Sequence, residues 1–249
     1  MPSKTLKLRR RTQVRRHAGT QALVITIDGP AGAGKSTVAK RLARALGMAY
    51  LDTGATYRAL AFAVLQDHPE VLANEERLAL TARFLPLKLK PGGNGTLRVF
   101  LGDAEITRAI RSQEISEAAA QVSQYPAVRA AMVAHQRALA GTQGVVVEGR
   151  DTGSVVFPDA PVKFFLEADL SVRAERRQRE LFDLYREPTP LAQIRQELHF
   201  RDLVDQSRPV GRLIKPRGAL VIDTTHLSAP QVVRRMLQHI RRAHYPSPS

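Results

Sequence analysis

Cysteine and tryptophan are both absent from this sequence, and aromatic residues make up 5% of it. Without thiols there is no disulfide scaffold and no thiolate metal site, and the composition fits a reducing compartment. Scarce aromatics leave few platforms for stacking bases. No apolar run approaches the roughly 20 residues that span a bilayer, and residues 1–20 contain no apolar core of a secretory signal. These absences predict a soluble, cytoplasmic protein with no membrane contact. The 7 histidines show no ligand spacing; His135, on a helical pattern, reads as an ordinary surface or packing residue.

Acidic residues are scarce as well, 23 against 38 Lys and Arg, for a formal net charge of +15. Such an excess points to an anionic partner: nucleic acid, a phosphorylated metabolite or a membrane surface. Residues 1–20 hold Lys4, Lys7, Arg9, Arg10, Arg11, Arg15 and Arg16 and no acid. This tail reads as a disordered basic extension, with an organellar presequence or a nucleic-acid-binding arm as alternatives.

What the chain does contain is an alternation of strands and helices. Its 249 residues, 43% of them apolar, suffice for one large α/β domain or two small ones. The segment 22–27 (ALVITI) is β-branched, and 35–46 (KSTVAKRLARAL) has helical periodicity that stops at Gly47. A second strand falls at 48–51 (MAYL) and a helix at 56–66. The runs 144–149 (GVVVEG), 162–168 (VKFFLEA) and 219–223 (ALVID) read as strands buried on both faces of a parallel sheet. Segments 85–90 and 96–103 alternate apolar and basic residues around PGGNG, the signature of an antiparallel hairpin insertion.

Between the first strand and the first helix lies the most specific signal. Gly29, Gly34, Lys35 and Ser36 satisfy G-x-x-x-x-G-K-[ST] in the strand and helix context that a phosphate-binding loop requires. The stretch Gly29, Pro30, Ala31, Gly32, Ala33, Gly34, Lys35, Ser36 and Thr37 would turn its amides around the phosphates of ATP. Lys35 would reach the β- and γ-oxygens. Ser36 would offer its hydroxyl to Mg²⁺, with Asp28 a second candidate through water. No Asn-Lys-x-Asp guanine reader is present, and neither Glu148 nor Asp28 decides between a motor and a kinase. A small-molecule kinase is favoured by arginines placed where strands and helices end.

Those arginines sit in YLDTGATYRALA (50–61), YPAVR (125–129), VVVEGRDTGSVVFPDAPVKFFLEA (145–168) and RDLVDQSR (201–208). With the phosphate loop, they make residues 22–240 resemble the bacterial cytidylate kinases, P-loop nucleoside monophosphate kinases that phosphorylate CMP and dCMP with Mg-ATP. The resemblance implies a five-stranded parallel sheet with flanking helices, a small antiparallel β insertion in the substrate-binding part, and a short helical lid. It divides residues 21–243 into a core (21–52, 142–168, 218–243), a substrate-binding part (53–141, insertion 84–106) and a lid (170–188). It implies that Thr53, Arg58 and Arg150 hold the CMP phosphate, that Arg129, Asp151 and Arg208 read the cytosine, and that Arg201 and Asp205 hold the ribose. Arg173, Arg176 and Arg177 would be lid arginines acting on the moving phosphoryl group beside Lys35 and Arg150. On composition alone those three mark a solvated helix, and Arg201 and Asp205 fit an ordinary i,i+4 pair.

Two departures from the family pattern stand out. Ala120 occupies the position where the family usually carries a base-reading serine, with Ser123 three residues on. After Arg208 the chain adds Arg212, Lys215 and Arg217. The expected partners are ATP and CMP or dCMP, and the expected state a monomer. A kinase of UMP, AMP or a small hydroxy acid is the nearer alternative, and a nucleotide-regulated RNA-binding protein using the tail the more distant one.

Overall fold

β-Branched residues are stiff at χ1 and pack well on a pleated surface, and they supply the centre of the sheet. In the computed structural model, which describes residues 23–93, 96–141, 144–186 and 188–244, β1 (Val24–Asp28) lies at the middle of five parallel strands. The others are β2 (Ala49–Asp52), β6 (Val145–Gly149), β7 (Val162–Glu167) and β8 (Leu220–Asp223), in the order β2-β6-β1-β7-β8. The basic tail 1–20, part of the PGGNG turn and the YPSPS terminus lie outside the described residues.

β6 is buried along its whole length, as its valines predict. β8 is not. It pairs with β7 alone and leaves Val221 38% exposed, because an edge strand has neighbours on one side only; the expectation that 219–223 is buried on both faces is corrected. The register aligns Asp28 with Gly149, Asp52 with Glu148 and Glu167 with Asp223, so the carboxyl ends of the strands form one ledge. Chain order reverses around β1, the place where open α/β sheets bind ligands.

α1 (Lys35–Leu46) and α8 (Ala229–His244) cover one face of the sheet. Val38, Ala39, Leu42 and Ala43 recur on one side of α1 and pack with Ile25, Ile27, Phe164, Val232, Met236 and Ile240. Gly47, at φ 66°, ends α1 in the left-handed conformation, and its N–H satisfies carbonyls of the last turn.

The segment between β2 and β6 builds a second core from α2 (Thr53–Asp67), α3 (Glu75–Arg83), α4 (Gln113–Val122) and α5 (Pro126–Ala140), packed around Leu60, Leu78, Val128 and Met132. Each start is chemically marked. Asp52, Asn74 and Ser112 accept from backbone N–H groups at the N-termini of α2, α3 and α4, and Pro126 opens α5. Each such cap stabilises its helix by about 1 kcal/mol. The antiparallel insertion carries one strand more than a hairpin: β3 (Leu87–Pro91), β4 (Leu97–Leu101) and the short β5 (Ala104–Glu105). α6 (Leu170–Tyr185) and α7 (Leu191–Ser207) pack on each other beside the ledge. His135 takes a structural place, its Nε2 2.8 Å from Ala82 O at the end of α3. Among the described residues no helix is long and apolar enough to cross a membrane.

Candidate active site

The turn from β1 into α1 is built from residues whose small size is a structural requirement. Gly32 adopts φ 77°, and a Cβ there would lie 2.8 Å from Arg173 Cβ and 2.9 Å from Arg173 O. Only glycine lets the loop press against α6. Lys35 is buried at the start of α1 and donates from Nζ to Pro30 O at 2.7 Å. Burial, and after it the positive charge of Arg150, pushes the Lys35 ammonium down to about 7. An anionic ligand reverses both effects, so this lysine is poised for phosphate oxygens.

Across the ledge a second group of charges converges. Lys35, Thr53, Arg58, Arg129, Arg150, Asp151, Arg201, Asp205 and Arg208, the residues expected from the sequence, all line one cavity of about 350 Å³. Five chain segments supply them. Asp52 caps α2 and pairs with Arg58 at 2.9 Å, which orients that guanidinium. Gly149 allows Thr53 to approach β6, since a Cβ there would meet Thr53 Oγ1 at 2.4 Å; the Thr53 hydroxyl donates to Glu148 O at 2.8 Å. Arg150 Nε donates to Asp205 Oδ2 at 2.7 Å, and Arg208 pairs with the other oxygen of the same carboxylate. Arg129 pairs with Asp151, both buried.

The helix-face reading of Arg201 and Asp205 does not hold. Asp205 turns to Arg150 and Arg208, while Arg201 makes no ion pair among the described residues. Arg201 keeps an exposed face; partial desolvation by the cleft walls, and after it repulsion from Arg150, lower its pKa to about 10. Burial alone would raise Asp205, but Arg150 and Arg208 hold it below the usual carboxylate range. A buried carboxylate shared by two arginines orients both; losing one arginine leaves the carboxylate compensated by the other, whereas losing Asp205 would leave two guanidinium groups without their counter-charge.

Three expected residues are placed differently from the others. Asp28, expected as a water-mediated Mg²⁺ ligand, is fully buried and lines neither the cleft nor its neighbour. Its carboxylate instead accepts from Thr152 N–H, Thr152 Oγ1 and Gly153 N–H at 2.7–2.8 Å. Burial raises its pKa to about 6 against those donors. Arg173, expected over the moving phosphoryl group, is buried and ties α6 down: its guanidinium meets Ala31 O at 3.1 Å and Asp202 at 2.7 Å. Arg176 donates to Thr224 Oγ1 and O at 3.0 and 2.6 Å. Arg177 alone of the three lines the cleft.

A neighbouring cavity of about 480 Å³ runs from the phosphate loop between Arg176 and Arg177 on α6 and Thr224, Leu227 and Val232 around the start of α8. Sequence reasoning missed this compartment, whose apolar members look like ordinary core. It also missed Glu148 as a site residue, Tyr57, and the role of Ser123. Glu148 ends β6 beside Ser36 and accepts from Tyr50 OH at 2.9 Å; burial and the charge of Asp52 raise its pKa. A hydroxyl beside a carboxylate suits a hard cation that takes oxygen ligands. No cluster of three acidic, cysteine or histidine side chains exists among the described residues. Ser36 and Glu148 therefore fit Mg²⁺, whereas Asp28 does not. Tyr57 sits under Arg129, 5.6 Å from ring centroid to guanidinium, and its buried OH has no hydrogen-bond partner. Ser123 accepts from Arg208 Nη2 at 3.1 Å and donates to Ala120 O at 2.8 Å.

Comparison with known proteins agrees with this geometry. The family model described as cytidylate kinase matches residues 25–242. A curated cytidylate kinase from Klebsiella pneumoniae is 44% identical over 222 residues, 88% of this chain and 95% of that protein. One from Caldanaerobacter subterraneus is 45% identical over 218 residues, 88% and 94% of the two chains. One from Escherichia coli is 44% identical over 225 residues, 89% and 96%. With its phosphate loop and its guanidinium cluster on one ledge and these relatives over nearly its whole length, the chain belongs to the cytidylate kinase family.

Proposed function

We propose that this protein transfers the γ-phosphoryl group of ATP to CMP or dCMP with Mg²⁺, giving ADP and CDP or dCDP, in the reducing cytoplasm that its lack of cysteine suits. The observation that carries the reading is the single cleft lined both by the phosphate-loop lysine, Lys35, and by the two arginines Arg58 and Arg150. Two cationic cradles sharing one space suit two phosphorylated ligands held end to end.

The ATP phosphates would lie in the loop 29–37, with the adenine in the neighbouring cavity between Arg176 and Leu227. The CMP phosphate would lie between Thr53, Arg58 and Arg150, and the ribose against Arg201 and Asp205. The Arg129–Asp151 pair with Arg208 offers a carboxylate acceptor beside guanidinium donors. Cytosine presents an amine donor beside two acceptors, which this set complements, whereas uracil turns a carbonyl toward the carboxylate.

Phosphoryl transfer needs alignment and charge neutralisation more than covalent help. Lys35 and Arg150, whose charges act on each other in the cleft, would hold donor and acceptor phosphates and spread the charge that grows between them. Ser36, supported by Glu148, would hold Mg²⁺, which would supply charge neutralisation at the ATP phosphates. Arg177 reaches the same space from α6, and closure of that helix would exclude water from the transfer. The test is ADP formation with CMP, dCMP, UMP and AMP in parallel. CMP and dCMP are expected to lead by at least about tenfold, the equivalent of about 1.4 kcal/mol at the base; equal rates with UMP or AMP would refute the assignment of the acceptor.

A further inference from the structure

The net positive charge of the chain is not spread over it. Residues 1–51 and 224–249 hold 15 of the 38 basic residues and one of the 23 acidic ones. That one acid is Asp28, which is fully buried. The stretch between them is close to neutral, with 23 basic and 22 acidic residues. The cleft therefore lies largely in balanced sequence, and the excess charge needs another explanation.

The fold gathers the two charged ends. α1 and α8 pack side by side on one face of the sheet. Both start near the nucleotide cavities and run away from them, as β1 and β8 run toward them. Neither helix contains an acid. Arg41, Arg44, Arg234, Arg235, Arg241 and Arg242 are exposed, and none forms an ion pair among the described residues. Arg234, Gln238 and Arg241 follow one another along one stripe of α8, about 10 Å from first to last. With Arg41 of α1 they line a groove of about 440 Å³ between the two helices. The basic tail joins the described chain at Leu23, whose carbonyl accepts from Val145 N–H at 3.0 Å and lies by Gly144 and Met48. That is the end of the sheet where α1 finishes, and in sequence the basic residues 4–16 precede it.

We propose that the α1–α8 face binds the phosphate backbone of nucleic acid. The chemistry separates this partner from an anionic membrane. Among the described residues no large apolar side chain on α1 or α8 is exposed, because the apolar side of α8 packs on the sheet through Val232, Met236 and Ile240. A helix that lies in a membrane interface needs such side chains; a polyphosphate backbone does not. The sequence also lacks tryptophan, and neither helix carries an aromatic residue, so bases have nothing to stack on and binding follows phosphates without sequence preference. The surface lies away from the nucleotide cleft, and the kinase reaction does not require it.

The test is fluorescence anisotropy of the full-length protein with a labelled mixed-sequence single-stranded RNA of roughly 20 nucleotides, across a salt series. The triple variant R41E/R234E/R241E is expected to bind at least about tenfold more weakly. Its plot of log affinity against log salt should flatten by about 2, since each lost contact to a single strand contributes about 0.7. Its turnover of CMP should match that of the parent chain. The variant R77E/K88E/K90E makes the same change in net charge on the substrate-binding part and should alter RNA affinity by less than about twofold, as should any distant surface change. If the first variant folds poorly, R41Q/R234Q/R241Q is read in the same way with the same sign. Equal losses in the face and control variants, no loss in the face variants, or tighter binding to phosphatidylglycerol vesicles than to RNA would each overturn the proposal.

Discussion

The two anion cradles of the cleft are built on opposite plans. The phosphate loop is nine consecutive residues whose backbone would do the binding, anchored by one lysine at the start of α1. The guanidinium cradle has no backbone motif. Its members come from α2, α5, the turn after β6 and α7, and its arginines other than Arg201 are each held by a carboxylate: Arg58 by Asp52, Arg129 by Asp151, Arg150 and Arg208 by Asp205. The first plan would tolerate changes in the rest of the chain and accept any polyphosphate. The second would give a shape able to recognise one base, and it depends on its carboxylate partners.

The largest expected effect breaks the first cradle. Lys35→Met should reduce kcat by about 10²–10³-fold while the protein still melts cooperatively, since the group neutralises charge that develops in the transition state. Steady-state kinetics beside a thermal melt check it. Next comes the second cradle: Arg150→Ala should lower kcat/KM for CMP by about 10²-fold, with the KM for ATP nearly unchanged. Asp205 keeps Arg208 in that variant, so loss of folding is not expected. Asp151→Asn should act more gently, shrinking the preference for CMP over UMP by about tenfold, because an amide can both donate and accept at the base. Competition between the two acceptors measures it directly.

The smallest effect is a fraction of a proton. Lys35 in the protein titrates near 7, below the ordinary lysine value, so it is charged below that pH and increasingly neutral above it. Phosphate oxygens favour the charged form and raise the pKa. ATP binding at pH 8 should therefore take up protons, and at pH 6 almost none. Calorimetry in buffers of different ionisation enthalpy reads this uptake, and Lys35→Arg, always charged, should abolish it.

The same contrast explains what the sequence discloses. A local cradle is a local pattern, so Gly29 to Thr37 could be assigned from spacing alone. The dispersed cradle is invisible to spacing, since Arg58, Arg129, Arg150 and Arg208 meet only when α2, α5, β6 and α7 pack; they were reached through resemblance to a family. Buried strands such as β6 were legible from their valines, whereas the edge position of β8 depends on a neighbour that sequence does not count. Asp28 and Arg173 show the other limit. Each has the right charge beside the right loop, yet backbone amides near Thr152 bind the one and Asp202 with Ala31 O binds the other. Residue type proposes a role, and the nearest competing partner decides it.

The three hydrogen bonds that Asp28 accepts from Thr152 and Gly153 have a consequence for how the reaction is timed. Asp28 immediately precedes the donor loop, and Thr152 follows the Arg150 and Asp151 that face the acceptor. Under the proposed function, donor and acceptor platforms are therefore joined through buried main chain, and the fold itself would set the gap to be crossed. What would remain adjustable is when the outer half of α6, beyond the anchored Arg173, comes down: such a motion would govern how often transfer starts, while the clamp would govern how far the group must travel.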